Sequence, residues 1–405
     1  MHVKIVLVLF VTAALACTLT PGTTPGESDL QTRVAATLTA IAGTAAPPTE
    51  AAPTETPTAA VRAVLPHPLY FLADRTGTFQ VWRVGVDGAT LDQITDEPVS
   101  VDAFDVSPAG GSVAYVSGNQ LLLANADGGD RRVLVAGAEL PATPDETYWA
   151  QSLGNPAWSP DGGRLAYSLN GVNIYTVASG ATVNLVTNIL PTEDNPAGIT
   201  LYFPSLWSPD QTKLLAQVGY YEAGTLAILP AAGGEPIITR ISEGIVCCHA
   251  AWSNDSAGLF VANDSIGLLT PGLWRIDAAT GEGTTLINGG DGASTLSFAG
   301  WPKPAPDGRL LFFFGQTETF PDRGAWPTTM VAAEADGVTN RTALRSDSYI
   351  PAEVLWAPDG RLAVISDVSE LSDVYPPLGP LRVLPTDGGP ALTLADHGRN
   401  LRWGP

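Results

Sequence analysis

The chain has 405 residues, with 41 Asp and Glu against 20 Lys and Arg, so its net charge is −21. That sign excludes a sequence-independent nucleic-acid binder, which needs a basic footprint. Gly and Pro are abundant, at 42 and 34, which argues against a mostly helical protein. No apolar run reaches the ~18 residues of a membrane-spanning helix. A turn-rich, all-β protein remains.

Residues 1–16 carry one positive charge, Lys4, then a short apolar run ending in small residues. This is a secretory signal pattern. The stretch Ala14-Leu15-Ala16-Cys17 resembles a bacterial lipobox, with Ala14 where Leu is usual. The resemblance implies that Cys17 is acylated and begins the mature chain. The expected location is then the outer face of a bacterial membrane, in the cell envelope. The alternative is a cleaved signal peptide with an incidental Cys17. Residues 17–62 are rich in Thr, Pro and Ala and lack aromatic residues. Such a segment cannot bury enough surface to offset its ordering entropy, so it reads as a disordered tether. Leu30, Val34, Leu38 and Ile41 have helical spacing, which fits at most a short helix within it.

Residues 63–405 repeat one unit. The fragments DVSPAGGSVAYV, AWSPDGGRLAYS, LWSPDQTKLLAQ, AWSNDSAGLFVA, KPAPDGRLLFFF and LWAPDGRLAVIS share a frame. The residue before Ser/Ala-Pro is Val106, Trp158, Trp207, Trp252, Pro304 and Trp356, and Trp403 begins a seventh copy. (Asn254 stands in for the Pro of the fourth.) Successive spacings are 52, 49, 45, 52, 52 and 47 residues. Each copy is followed by alternating apolar residues and, further on, by a Gly turn such as ADGGD or ATGEG. Those turns supply the positive φ of tight hairpins. Four short antiparallel strands per unit follow.

Residues 66–96 hold strands two, three and four of a unit but no first strand, whereas residues 399–405 hold a first strand alone. The C-terminal strand is expected to complete the N-terminal unit and remove open sheet edges. The expected architecture is a β-propeller of seven four-stranded blades, about 49 residues each by the repeat spacing; six blades is the alternative. The recurring (W)SPDG-x-x-LA-(Y/F) motif resembles the WD40-like repeat of TolB-type propellers. That resemblance implies an exported propeller used as a protein- or peptide-binding platform, or as a module beside a hydrolase. The motif is structural and carries no functional residue over.

Turns between strands one and two, and three and four, are short and share one face. The long segments 136–154, 187–200, 263–272, 316–329 and 367–380 fall on the other. Loops on a rigid scaffold concentrate binding residues; neutral insertion is the competing explanation. The frame places Asp102, Asn155, His249, Trp301, Glu353 and Arg399 at the channel mouth on the long-loop face. They could orient a ligand or merely line a solvated funnel. Trp149, Phe320, Trp326 and Tyr375 are candidate interface aromatics.

Cys247 and Cys248 are adjacent and could form a vicinal disulfide in an oxidising compartment, or stay reduced on opposite faces of a strand. A Cys-Cys-His metal site is disfavoured, because adjacent strand residues do not converge on one ion. No metal or cofactor is expected. G-x-S-x-G, H-E-x-x-H, C-x-x-C and phosphate-loop motifs are missing. His249 with Asp102 or Glu353 is the pair to test for acid–base work. The favoured function is a non-catalytic envelope lipoprotein with a monomeric head that binds a protein, peptide or envelope polymer through its long-loop face. Its expected membrane contact is the lipid alone, with no nucleic-acid partner. The alternatives are a channel-mouth lyase or hydrolase and a structural envelope component.

Overall fold

The computed structural model describes residues 63–405, apart from 144–145, 196, 221–222, 242–248, 266–270, 291–294, 320–325 and 371–377. Strands dominate, and the one described helix is Glu146–Gln151. The strands pair antiparallel into five four-stranded sheets and one seven-stranded sheet. The larger sheet is two blades fused through the long strand Leu392–Trp403. Its first half pairs with Gly379–Pro385 as an outermost strand. Its second half pairs with Leu69–Ala73, placing Trp403 opposite Leu69 and Arg402 opposite Tyr70. Counting that strand in both blades gives seven four-stranded units, closed as the sequence pattern requires.

We number the blades from the closing one. Their innermost strands are the end of Leu392–Trp403, then Val101–Val106, Gly154–Trp158, Thr200–Trp207, His249–Trp252, Leu296–Pro304 and Pro351–Trp356. Apolar residues from neighbouring blades interlock. Between blades 6 and 7, Trp301, Phe313, Trp356 and Ile365 form one cluster.

The repeat motif explains itself at atomic level. Ser159, Ser208 and Ser253 each donate through Oγ to the Asp two residues on, at 2.6 Å. The same Oγ accepts the N–H of Arg164, Lys213 or Gly258, at the far side of the turn. The Ser208 hydroxyl is the main reason the Asp210 carboxyl is held down to about 2. Where Ala replaces Ser, Asp307 and Asp359 still accept the N–H two residues on. The residue after the Asp turns left-handed, with φ 68° at Gly162 and 61° at Gln211, which is why glycine is common there.

The Trp column also has a physical role. Trp207, Trp252, Trp356 and Trp403 each donate their indole N–H to a carbonyl of the preceding blade's innermost strand: Ala157, Leu206, Trp301 and Trp356 respectively. Each indole thus fills an inter-blade gap and satisfies a backbone acceptor. Trp158 Nε1 is buried without a partner among the described residues. Trp158 and Trp252 are equally buried. Trp252→Phe should therefore destabilise the protein by about 1 kcal/mol more than Trp158→Phe, the net value of a hydrogen bond. Urea unfolding of both variants checks this; equal losses would mean the indole bond contributes nothing.

Candidate functional site: the channel mouth

The innermost strands do not run straight into the mouth. Their registers slip within the few residues before the Trp-column position in blades 1, 2, 3, 4, 6 and 7. In three blades the residue three before the Trp column is left-handed: Asn155 (φ 50°), Trp301 (φ 51°) and Asn400 (φ 53°). Such bulges re-aim side chains. For the bulky Trp301 this backbone is unfavourable, so the surrounding packing must hold it.

Trp301 stacks on His249 with ring centroids 4.0 Å apart, and meets Phe313 edge-on at 6.0 Å. His249 Nε2 lies 3.0 Å from Asp264 Oδ1. That contact is a hydrogen bond when Nε2 carries the proton. Asp264 follows the strand Gly258–Asn263, so it enters the mouth from a long loop. It fits against the backbone because residue 300 is glycine: a Cβ there would lie 3.0 Å from the Asp264 Cβ. The sequence frame brings His249 and Trp301 to one place, as expected. It pairs His249 with Asp102 or Glu353, however, whereas the structure pairs it with Asp264.

Glu353 instead closes the ring. It accepts the backbone N–H groups of Asn400, at 2.5 Å, and Leu401, at 2.8 Å, and lies 3.8 Å from Arg402. Arg402 Nε donates to Asp105 Oδ1 at 3.0 Å, and Asp105 Oδ2 accepts the backbone N–H of Trp158 at 2.6 Å. One chain of polar contacts thus ties blades 7, 1, 2 and 3. Burial pushes both carboxyls upward, opposed chiefly by Arg402.

Arg399 and Asp102 stand at equivalent levels on neighbouring blades 1 and 2. The Arg399 guanidinium lies over the Phe79 ring at 4.3 Å. Its Nε is buried with no partner among the described residues. Burial raises the Asp102 carboxyl while Arg399 pulls it down. Asp102 is nonetheless open to solvent by area; crowding around the channel, rather than full enclosure, accounts for the shift. Asn155 accepts weakly from Ser168 Oγ at 3.4 Å. Lys303 sits one residue before the column, its ammonium pushed down by burial alone. A further His–Asp contact, His397 Nε2 to Asp74 Oδ1 at 2.6 Å, spans the blade 7–blade 1 closure.

Of the interface aromatics, Trp149 and Trp326 are half-buried. Trp326 packs where a Cβ on Gly315 would approach its Cδ1 to 3.1 Å. Phe320, Tyr375, Cys17, Cys247 and Cys248 lie outside the described residues. Among the described residues no group of His, Cys, Asp and Glu could hold a metal ion, and no helix is long and apolar enough to cross a membrane. A groove of about 330 Å³ does occur on the opposite, short-turn face, lined by Asp307, Arg309, Asp359 and Thr386. Its polar groups are engaged in their own turns, as in Arg309 with Asp307 at 2.8 Å, so the mouth is the better candidate.

No protein-family model matches the chain. An uncharacterized protein of Agrobacterium fabrum is 33% identical over 102 residues, covering 24% of this chain and 35% of that protein. The match therefore spans about a third of that relative's length. Among solved structures, an oligogalacturonate lyase in complex with manganese is similar, with a TM-score of 0.52, 13% identity, and 81% and 85% of the two chains covered. A puromycin hydrolase gives 0.54 and 16%, with 84% of this chain and 53% of that one. TolB from Acinetobacter baumannii gives 0.42 and 14%, with 83% and 82% covered. Identities this low show the fold alone. The chain is a β-propeller. Proteins as different as a lyase and a hydrolase share that fold, so it does not by itself assign a function.

Proposed function

We propose that the protein is an exported binding module that takes a protein, peptide or envelope polymer at the channel mouth of its long-loop face. The observation that carries this reading is Trp301, held in a left-handed backbone so that it stacks on His249. Unfavourable backbone conformations cluster at ligand sites, where surrounding structure maintains them. Trp149 and Trp326, which the repeat frame assigns to long loops of other blades, are the further anchors of this proposal. The signal peptide and the tether 17–62, acylated at Cys17, carry the head on a bacterial membrane. That part of the proposal rests on the sequence pattern.

The test is ligand capture by the full chain from envelope extract, followed by affinity measurement on the recovered ligand. His249→Ala should weaken binding at least tenfold, about 1.4 kcal/mol, and Trp149→Ala or Trp326→Ala severalfold. Val338→Ser, on an exposed short turn, should leave binding unchanged. Equal affinity in the first three variants would overturn the assignment of the mouth.

A channel-mouth enzyme is the second reading, favoured by the His249–Asp264 contact. A carboxylate that fixes the imidazole tautomer and stabilises its protonated form is the usual arrangement for an acid–base histidine. Turnover lost in both His249→Ala and Asp264→Asn, with binding retained, would place this reading first.

A further inference from the structure

The Arg399–Asp102 pair is unusual because it is incomplete. The guanidinium is oriented by Phe79, so its donors point in fixed directions, yet it makes no hydrogen bond to a described residue. Asp102 accepts none either. Three carboxylates act on Arg399 electrostatically: Asp102, Glu353 and Asp74. Two are engaged elsewhere, Glu353 by backbone N–H groups and Arg402, and Asp74 by His397. Asp102 alone is left, near enough to influence Arg399 but beyond ion-pair contact among the described residues. A strong donor and a strong acceptor of opposite charge thus face the same mouth from adjacent blades, both unfilled.

The chemistry of a matching ligand follows. An anion would satisfy Arg399 and confront Asp102, and the net charge of −21 adds repulsion. A cation would do the reverse. A neutral group offering both an acceptor and a donor satisfies both sides. In a trans peptide unit the C=O and N–H point in opposite directions, so one unit can bridge two groups on neighbouring strands. We propose that Arg399 and Asp102 form a split charge pair that receives one main-chain amide of an extended peptide, the guanidinium donating to its carbonyl and the carboxylate accepting from its N–H. This rests on the mouth being the binding site and narrows its ligand to a peptide.

The experiment uses the full chain labelled with ¹⁵N-arginine, the Arg399 Nε signal being assigned through Arg399→Lys. The probe is N-acetyl-tetraalanine amide, with cellobiose as the saccharide arm. The peptide should shift the Arg399 Nε signal saturably, and Asp102→Ala should weaken the apparent affinity at least tenfold. No peptide-dependent shift, or a cellobiose shift without a peptide one, would overturn the proposal. So would an Asp102 carboxyl that titrates below the ordinary range, which would mean the pair closes on itself. If the peptide fails while His249-dependent capture persists, this inference falls and the binding reading stands. If both fail, the mouth is not the site.

Discussion

Removing residues 399–405 should lower the melting temperature of the protein by more than ~5 °C, and the loss follows from how the ring closes. Those residues form the innermost strand of blade 1. Leu401 is fully buried, and its burial alone is worth roughly 1.5–3 kcal/mol. Arg402 leaves with its contacts to Asp105 and Glu353, and both carboxylates then stay crowded without their cation. Trp403 no longer donates to Trp356. The strand Leu69–Ala73, all five residues buried, becomes an open apolar edge. The sum exceeds about 5 kcal/mol, a large part of the 5–15 kcal/mol typical of a domain, and at roughly 2 cal/mol/K of unfolding entropy per residue a propeller of this length loses somewhat more than ~1 °C per kcal/mol. An exposed edge also templates association, so the truncated protein should form oligomers that the full chain does not. Calorimetry with size-exclusion chromatography reads both effects. Trimming only Gly404 and Pro405 is the control, since it removes one backbone bond, Gly404 N–H to the Pro68 carbonyl, and leaves the ladder intact. If the longer truncation melts with the full chain, the C-terminal strand does not hold the ring closed.

That closure was readable from sequence because it depends on period and frame, which a repeat displays openly. A missing first strand at one end and a lone one at the other admit one simple pairing. The turn motif was readable as well, since Ser-Pro-Asp binds mainly within itself, over two to five residues. The channel mouth was legible only in part. Repeat position correctly put His249 beside Trp301, because equivalent residues share a level. It could not supply Asp264, which arrives from a loop outside the frame, 15 residues along. The polar Asp264-Ser265 directly after the buried strand Gly258–Asn263 is the available signal. Repeat position offers Glu353 as an acid–base partner of His249; the structure engages it with backbone N–H groups of the next blade. Asp105, Lys303 and Arg402 share the position one before the column. Three charges at a mostly aliphatic level could have pointed to an inter-blade contact. The helix Glu146–Gln151 lies in a long loop with no repeat to place it.

Glu353→Ala should be the most damaging single substitution at the mouth, costing about 3 kcal/mol or more. Two backbone N–H groups, of Asn400 and Leu401, lose their acceptor. An unsatisfied buried donor costs about 1–3 kcal/mol, and Asn400 sits in a left-handed bulge that leaves its N–H few other partners. Arg402 also loses one of its two carboxylates. Its side chain is 40% exposed, so water compensates there and the ion-pair share is the smaller one. This ordering makes a specific prediction about substitutes. Glu353→Gln keeps one carbonyl oxygen for one of the two N–H groups but turns an amide NH₂ towards the other, so it should recover less than half of the loss. Arg402→Ala should cost less than Glu353→Ala, and the double variant less than the sum of the singles, because the two share a contact. Urea unfolding of the four variants measures all of this. If Arg402→Ala proves the costlier change, the charge pair rather than the backbone cap holds blades 7 and 1 together.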